Sequence, residues 1–363
     1  KIAKLETFCL HLPYKKPISF KSVHETRGEF VIISLALDDG TEGFGEAVCR
    51  PTAWGEDVPT LADMCRQIFD SKLRNFDPLA QSLIQHRLNE IPGCRAAKSL
   101  IDVALWDICG KILGHPVWRL LGAESPRPVP LTWIAHGDTS EAMIDEAVGR
   151  AQNGFFGIKL KTWRRSEEDV RMVAEARRRI GAERPIYVDA NSSYTLSEAR
   201  DILSLVQQSD VSFIEDPCRF ENIEQQADFA RALSAPLLCD RGGLELETVD
   251  QLLNAEAAGA ITLHLRQSGL TGALKIIERC ARSNVHTVIG TDSESRLGAL
   301  PRMHLHAATD HLHPWPAETH FFEKLADDVF LGSFHRSDGA IRLDDSPGFG
   351  ASIDRVKVEK YCF

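Results

Sequence analysis

Two lysines stand at the end of an apolar run that otherwise has the pattern of a buried strand. Lys159 and Lys161 close the stretch GFFGIKLKTW, residues 154–163. Side chains two positions apart on a strand point to the same side, so both ammonium groups are expected on one face of the strand end. Desolvation and a neighbouring cation both favour the neutral form of a lysine, which is the form that acts as a base. The pair is therefore a candidate for acid and base chemistry.

Three acidic residues end the next three apolar runs in a similar way. Asp189 ends PIYVD, Glu215 ends SFIE and Asp240 ends PLLCD. If these runs are consecutive strands, the three carboxylates meet at matching depth and repel one another unless a hard cation lies between them. Mg²⁺ is suited to this site, because it takes a few carboxylates and keeps positions for water and substrate. We predict that the three acids are ligands of Mg²⁺.

The elements that must position these groups form a series of strand and helix units. After Pro128, short β-rich runs alternate with charged helical stretches up to about residue 315. One residue marks the end of each of six runs, at intervals of 28, 26, 25, 24 and 26 positions: Lys161, Asp189, Glu215, Asp240, His264 and Gly290. A strand, a helix and two loops take about that many residues. Seven or eight such units favour a barrel, in which the carboxyl ends of the strands meet at one mouth.

The first part of the chain has a different pattern. Residues 2–49 are strand-like, and FVIISLALDDGTEGFGEA predicts an antiparallel hairpin around an Asp-Asp-Gly turn. Residues 60–122 have a helical period of apolar residues, with Gly114 at the end of one helix. One face of this helix is predicted to carry Leu100, Val103, Ala104, Asp107 and Ile108.

Composition limits the class of protein and of partner. The chain has 363 residues, 43% of them hydrophobic, and a net charge of −10, which allows one large or two moderate domains. No long basic run indicates nucleic-acid binding. No apolar span or signal peptide is recognised, so a membrane partner is not expected and a cytoplasmic location is predicted. The nine cysteines are scattered without a CxxC pair, a pattern typical of reduced thiols.

Taken together, the motifs resemble those of the enolase superfamily, specifically its branch of muconate-lactonizing and mandelate-racemase-like enzymes. The resemblance covers nearly the whole length of the chain. Besides the two lysines and Asp240, it rests on DGTEGFGEA, AAKSLIDVALWDICGKILGHPVWRLLGA, VDAN ending at Asn191, EDP at Glu215, SGLTGALKI, DSES around Glu294, and SPGFG.

This resemblance implies a fold. Residues 126–324 are expected to form a modified TIM barrel, (β/α)7β, that carries the catalytic site. Residues 1–125 are expected to form an α+β capping domain, which residues 325–363 complete. The resemblance also implies that the chain forms a homo-oligomer.

The resemblance further implies a chemical step, which is removal of the proton α to a substrate carboxylate while Mg²⁺ holds the enediolate. Enzymes of this superfamily use a Lys or His base together with Mg²⁺. Lys161 is then the base, and Lys159 adds a second positive charge at the substrate carboxylate. The family pattern also supports Asn191 and Glu294 as site residues.

Two positions depart from that pattern. Muconate-lactonizing relatives usually carry a second lysine at the end of the sixth strand, where this chain has His264. Mandelate-racemase-like relatives instead pair an Asp on the sixth strand with a His at the end of the seventh, where this chain has Gly290. His264 is a candidate acid or base on the face opposite Lys161, since an imidazole titrates near neutral pH. Otherwise it orients substrate, which leaves one-base chemistry such as elimination of a β-hydroxyl on the same face.

Other candidate substrate-binding residues lie next to these positions. At a barrel mouth Arg241 or Arg266 could bind a distal anion in a bidentate manner. Asp292 and Glu294 could hold a substrate ammonium or position a hydroxyl.

The cap is implied to add specificity through two loops, near KKPISFKSVHETR and CRPTAWGED, where Lys21, His24 and Trp54 are the candidates. The histidines of MHLHAATDHLHPW do not have the spacing of a zinc motif and are predicted to be structural or at the surface.

Two classes of function stay open at this point. The first is a Mg²⁺-dependent racemase, epimerase or dehydratase that acts on a small carboxylate, such as an amino-acid derivative, a hydroxy acid or an acid sugar. The second is a catalytically silent barrel that only binds a carboxylate. The intact lysine pair and the three acids favour the enzyme, since a pure binder has little need for an activated lysine. Cycloisomerisation is less favoured because the second lysine is missing.

Overall fold

An antiparallel sheet begins the fold. The computed structural model describes residues 1–20, 23–163, 167–240, 245–332 and 334–363. The sheet has the order β1 (Ile2–Phe20), β2 (Val23–Leu37) and β3 (Glu42–Cys49). The predicted hairpin is confirmed, because β2 and β3 pair antiparallel around a turn in which Gly40 has a φ of 86°.

Helices pack against this sheet and confirm the predicted helical region. They are α1 (Pro51–Trp54), α2 (Val58–Ile68), α3 (Gln81–Asn89), α4 (Arg95–Leu113) and α5 (Val117–Leu120), with a π-helical turn at Phe69–Leu73. The predicted face of α4 is buried, and the helix ends at Gly114, whose φ is 67°. Apolar side chains of α2, α3 and α4 form one core with those of β2.

The central part of the chain alternates strands and helices. Its elements are β4 (Val129–Pro130), β5 (Thr132–Ile134), α6 (Ser140–Gln152), β6 (Gly157–Lys161), α7 (Glu167–Ile180), β7 (Ile186–Asp189), α8 (Leu196–Val206), β8 (Phe213–Glu215), α9 (Ile223–Ala232), β9 (Leu237–Cys239), α10 (Leu246–Asn254), β10 (Ala260–Leu263), α11 (Leu265–Arg282), β11 (His286–Ile289) and α12 (Arg296–Ala308). Strands β5 to β11 are hydrogen-bonded in chain order, and each pair is parallel. This confirms the predicted series of units.

A short extended segment closes the sheet into a barrel. Ala317 forms a parallel bridge with Leu131, just before β5. The backbone N–H of Glu318 donates to the carbonyl of Ile289 at the end of β11, at 2.9 Å. Residues 317–318 thus lie between the first and the last strand and take the place of an eighth. The (β/α)7β barrel predicted from the sequence is confirmed.

The end of the chain returns to the first sheet. It contains a 3₁₀ turn (Phe321–Lys324), β12 (Phe330–Gly332), β13 (His335–Ser337), β14 (Ala340–Arg342), β15 (Ala351–Ile353) and α13 (Arg355–Tyr361). Strand β14 pairs with β4, while Ile353 and Val358 share an apolar cluster with side chains of β1, β2 and β3. This cluster supports the proposal that residues 325–363 complete the cap.

A buried carboxylate joins the cap to the barrel. Helix α11 is interrupted at Gly269, where φ is 63° and ψ is −173°, so a new helix start lies at Leu270. Asp102 of α4 accepts hydrogen bonds from the backbone N–H groups of Leu270 and Thr271, at 2.7 and 2.9 Å, and from the Thr271 hydroxyl and the Gln85 amide. It therefore caps a barrel helix from outside. A Cβ at Gly269 would lie 2.6 Å from this carboxylate, which accounts for the first glycine in SGLTG.

Substitution of this carboxylate tests the junction. We expect Asp102→Ala to lower the free energy of unfolding by about 3 kcal/mol, because it leaves buried N–H donors without a partner. Asp57, the exposed N-cap of α2, accepts from the backbone N–H of Thr60, so Asp57→Ala should cost about 1 kcal/mol and serves as the control. Urea denaturation followed by circular dichroism measures both. Equal losses would show that Asp102 is no more than an ordinary cap.

Candidate active site

The predicted site residues lie at the carboxyl ends of neighbouring strands. In the parallel register Lys161 pairs with Asp189, and Asp189 pairs with Glu215. Two positions earlier on these strands and on β9, Tyr187, Phe213 and Leu238 form an apolar layer across the barrel interior. Polar groups at the mouth therefore stand on a packed floor, which limits their movement.

Lys159 lies deeper than Lys161 and is almost completely buried. Its Nζ is 2.6 Å from Glu215 Oε2 and 2.5 Å from Glu318 Oε1, and all three side chains are about 97% buried or more. Burial opposes the charged form of the lysine, but the two carboxylates outweigh it and raise its pKa well above the usual range. Lys159 is thus a fixed cation in this structure, and its role as a second positive charge at the substrate carboxylate remains a prediction.

Lys161 is nearer to the mouth and is only partly buried. Its ammonium group donates to Asp189 Oδ2 and, at 3.0 Å, to Asn191 Oδ1. The backbone N–H of Asn191 in turn donates to Asp189 Oδ1 at 2.7 Å. Burial opposes ionisation of Asp189, yet Lys161 and Lys159 lower its pKa. The structure thus brings Lys161, Asp189 and Asn191 together in one hydrogen-bonded group.

His264 follows β10 and is held between two carboxylates. Its Nδ1 is 2.8 Å from Asp292 Oδ1, and its Nε2 contacts Asp240 Oδ1. Burial opposes the charged ring, but the two carboxylates raise its pKa well above the usual range. Burial also opposes ionisation of Asp240, but the charge of His264 outweighs it and lowers the pKa of Asp240 to about 2. A Cβ at Gly290, just after the next strand, would lie 2.5 Å from the Thr262 side chain and 3.0 Å from the His264 ring. The glycine at the end of the seventh strand therefore makes room for Thr262 of the sixth and for the histidine that follows it.

Asp292 faces the interior of the protein and not an open space. Besides His264, it accepts from Arg302 and from the backbone N–H of Arg266 at 3.3 Å. Glu294 is 2% exposed and accepts from the Thr291 hydroxyl and the Asp292 N–H, at 2.9 and 2.8 Å. Both acids organise the loop after β11 in this structure. Direct contact of either with substrate remains a prediction.

Of the predicted substrate-binding arginines and cap residues, Arg266 and Trp54 lie where the cap meets the barrel. Arg266 is 3% exposed, donates to the Val48 carbonyl at 2.8 Å and to Glu56 at 2.7 Å, and lies 4.5 Å from the Trp54 ring centroid. It therefore holds the cap against the barrel, and binding of a distal anion by it remains a prediction. His24 lies exposed in β2. The predictions for Arg241 and Lys21 fall outside the described residues.

The three predicted metal ligands have the hard oxygen donors that Mg²⁺ prefers. In this structure each is paired with a cationic side chain, and no group of three or more His, Cys, Asp and Glu residues in the described ranges is arranged to hold a metal ion. Burial and the charge of Asp189 raise the pKa of Glu215, and its Oε2 has no hydrogen-bond partner beyond the Lys159 ion pair. A divalent cation between these carboxylates would relieve the repulsion that raises the pKa of Glu215. Ligation by all three remains a prediction.

Three residues at the mouth were missed in the sequence. Glu318 lies on the segment that closes the barrel, and His136 and Lys324 lie beyond the ends of β5 and of that segment. The run PLTWIAHGD offered a signal for His136, since it ends in a polar residue as the other runs do. Glu318 gave none, because two residues are too short a strand for a periodic pattern.

Glu46 of β3 contacts the base of the same loop. It accepts from the backbone N–H of Ser295 at 2.8 Å and from the Ser295 hydroxyl. Burial, which outweighs these hydrogen bonds, raises its pKa to about 8. The cap therefore places a carboxyl group with a strong preference for a proton directly beneath the loop that carries Asp292.

The comparisons with known proteins agree with this fold and arrangement. A sequence profile described as "Mandelate racemase / muconate lactonizing enzyme, N-terminal domain" matches residues 4–122, and one described as "Enolase C-terminal domain-like" matches residues 142–357. The N-succinyl-L-Arg/Lys racemase of Bacillus cereus is 26% identical over 99% of this chain and 97% of its own. The L-Ala-D/L-Glu epimerase of Thermotoga maritima is 28% identical over 92% of this chain and 95% of its own.

Solved structures show the same fold. The crystal structure of N-succinyl Arg/Lys racemase from Bacillus cereus superposes with a TM-score of 0.92, at 24% identity over 100% of this chain and 98% of that one. Muconate lactonizing enzyme from Pseudomonas putida superposes with a TM-score of 0.91, at 21% identity over 100% and 99%.

A capped (β/α)7β barrel with lysines, carboxylates and a histidine at its mouth is the architecture of the enolase superfamily, and the chain is an enzyme of this class. More particularly, it belongs to the mandelate racemase/muconate lactonizing enzyme family. Its relatives are racemases, epimerases, cycloisomerases and o-succinylbenzoate synthases. No helix in the described ranges is both long and apolar enough to span a bilayer.

The raised pKa of Glu46 predicts how the stability of the protein depends on pH. Between its usual value of 4.5 and about 8, the folded protein keeps a proton that the unfolded chain has lost, so stability falls as pH rises through this window. Glu46→Gln keeps the shape and removes the titration. The difference in free energy of unfolding between the variant and the wild type should therefore change with pH. We expect it to shift in favour of the variant by at least about 1 kcal/mol from pH 5 to pH 8.5, since one pKa unit corresponds to about 1.4 kcal/mol.

Thermal unfolding at several pH values measures this difference. Glu42→Gln is the control, because Glu42 lies on the same strand and is paired with Arg355 at 2.5 Å, so its removal should not stabilise the protein. A constant difference between Glu46→Gln and the wild type across the pH range would contradict the prediction.

Proposed function

We propose that this enzyme removes the proton α to the carboxylate of a small substrate and returns a proton to the opposite face. The result is racemisation or epimerisation, and an amino-acid derivative is the proposed substrate class. Lys161 and His264 are the proposed acid and base. The N-succinyl-L-Arg/Lys racemase and the L-Ala-D/L-Glu epimerase named above support this class of substrate.

One observation carries this proposal. Lys161 ends the second strand of the barrel and His264 follows the sixth. With residues 317–318 as the eighth member of the ring, these two strands are four steps apart in either direction, so they lie across the mouth from each other. A substrate carbon between them has one group on each face, and inversion of configuration needs that arrangement.

The proposed roles of the other polar groups follow from their positions. Mg²⁺, when bound by Asp189, Glu215 and Asp240, would supply positive charge to the substrate carboxylate and so reduce the cost of removing the α-proton. Lys159, held by Glu215 and Glu318, adds a fixed positive charge on the same side of the mouth.

Asp292 orients His264 through Nδ1, which leaves Nε2 as the ring nitrogen available to substrate once its contact with Asp240 is released. Arg302, paired with the second oxygen of Asp292, holds that carboxylate in place. The histidine ring is thus oriented from behind before any substrate binds.

Exchange of the α-hydrogen in D₂O tests the reaction. Purified enzyme with Mg²⁺ is incubated with each enantiomer of N-acyl amino acids, dipeptides, hydroxy acids and acid sugars, followed by NMR and mass spectrometry. We expect deuterium at the α-carbon of both enantiomers of an amino-acid derivative, without loss of mass. Loss of water would make the enzyme a dehydratase that uses one base. No exchange with any compound would favour a barrel that only binds carboxylates.

Single substitutions test the two faces separately. We expect Lys161→Ala to slow exchange of one enantiomer by about 10²-fold or more while exchange of the other persists, and His264→Gln to have the reverse effect, since each group serves one face. Lys4→Ala, which removes an exposed lysine of β1, is the control and should leave both rates unchanged. Loss of both rates in His264→Gln together with an altered circular dichroism spectrum would indicate a structural role for the histidine.

Removal of divalent cations tests the metal. Dialysis against EDTA should abolish exchange, and added Mg²⁺ should restore it, because the developing charge of the substrate then has its counter-ion again. Asp240→Asn should require a higher Mg²⁺ concentration for the same rate. Full activity after EDTA would overturn the proposed metal. A homo-oligomer in the cytoplasm, acting on a small molecule and not on nucleic acid or a membrane, remains part of this proposal.

A further inference from the structure

A cation at the barrel mouth has no carboxylate partner among the residues that the structure describes. Lys324 ends the 3₁₀ turn that follows the closing segment of the barrel, and its side chain is partly buried. Its Nζ lies 3.2 and 3.4 Å from the two ring nitrogens of His136, and 5.4 Å from the Trp133 ring centroid. Every other lysine at this mouth, Lys159 and Lys161, is paired with an acid.

His136 cannot neutralise this charge. Its Nδ1 is 2.7 Å from the Ile134 carbonyl, so Nδ1 carries the proton and Nε2 is an acceptor. The surrounding protein, together with the charges of Lys324 and Lys161, lowers the pKa of His136 below its usual value, although the ring keeps contact with solvent at the mouth. A neutral imidazole therefore positions the ammonium group but supplies no negative charge to it.

One acid near this pair, Glu146 of α6, forms no ion pair with Lys324 within the described ranges. It accepts a hydrogen bond from the backbone N–H of His136. Burial lowers the pKa of Lys324 to about 8, and Arg150 and Lys161 contribute to this, although Glu146 acts in the opposite direction. A partly buried cation among other cations is stabilised when an anion binds to it.

Lys324 lies on the same side of the mouth as Lys161, the proposed base. Ile134, the last residue of β5, pairs with Lys159 in the parallel register. His136 follows just beyond the end of β5 and senses the charge of Lys161 at the end of the neighbouring strand β6. Lys324 contacts His136 from the direction of the closing segment. A substrate whose α-carbon faces Lys161 would therefore have its more distant atoms within reach of Lys324.

We propose that Lys324 binds a second anionic group of the substrate, a carboxylate distal to the carbon that loses its proton. This inference rests on the proposed function, because it uses the position of Lys161 at the reacting carbon. It defines the substrate class as dicarboxylates, such as an amino acid whose N-acyl group ends in a carboxylate or one with an acidic side chain. Charge-assisted hydrogen bonds from an ammonium group are suited to such a group.

A pair of probes that differ only in the distal carboxylate tests this inference. N-succinyl-L-leucine carries it and N-acetyl-L-leucine does not. Binding of each to the Mg²⁺-loaded enzyme is measured by isothermal titration calorimetry, which needs no turnover. We expect the wild type to bind the succinyl probe at least tenfold more tightly than the acetyl probe. Lys324→Met should remove this preference and change acetyl binding little, and Lys324→Arg should restore most of it.

Controls separate this inference from the proposed function. Lys360→Met removes an exposed lysine of α13 and should keep the wild-type preference, which excludes a general effect of net charge. Equal affinity of the wild type for the two probes, no binding of the succinyl probe, or an equal loss for both probes in Lys324→Met would overturn the inference. Deuterium exchange measured on the same samples reports on the proposed function alone. Exchange without a preference would refute the inference only, and a preference without exchange would refute the proposed function only.

Discussion

Buried charges at the mouth of the barrel need partners from neighbouring strands, and most other features of the structure follow from this requirement. Lys159 is compensated by Glu215 and Glu318, and Lys161 by Asp189. An unpaired buried charge costs several kcal/mol, so each strand end is held by its neighbours as well as by the sheet. This explains why the two-residue segment at the eighth position, which makes few backbone hydrogen bonds, is nevertheless part of the ring. Its glutamate is the second partner of the deepest lysine.

The cap supports the same mouth from outside. Asp102 caps the continuation of α11, Arg266 of the same helix is held by a carbonyl and an acid of the cap, and Glu46 accepts from the loop after β11. These contacts reach the two loops that carry His264 and Asp292. The capping sheet and helices therefore do more than cover the barrel, because they fix the loops whose side chains face the reaction.

The exchange of side chains between the sixth and seventh strands has a steric reason. His264 occupies space that a side chain at position 290 would need, and Asp292 of the loop beyond position 290 supplies the hydrogen bond to its ring. A histidine and a carboxylate still stand together on this side of the barrel, with the histidine on the sixth strand and the carboxylate after the seventh. His264 and Gly290 thus belong together. With the histidine after the sixth strand and the glycine at the end of the seventh, an oriented imidazole lies across the mouth from Lys161.

The sequence by itself determined the strand and helix units, the barrel, the hairpin of the cap and the level at which Lys161, Asp189 and Glu215 meet. Local periodicity and regular spacing carry that information, because parallel strands in chain order bring their ends together. Only the tertiary structure decided which charges pair, that Arg266 and Asp292 are used inside the protein, and that Glu318, His136 and Lys324 reach the mouth. These pairs join residues from strands, loops and the cap that are far apart in the chain. Coulomb energy and burial depend on distances in space, and no local pattern of residues encodes them.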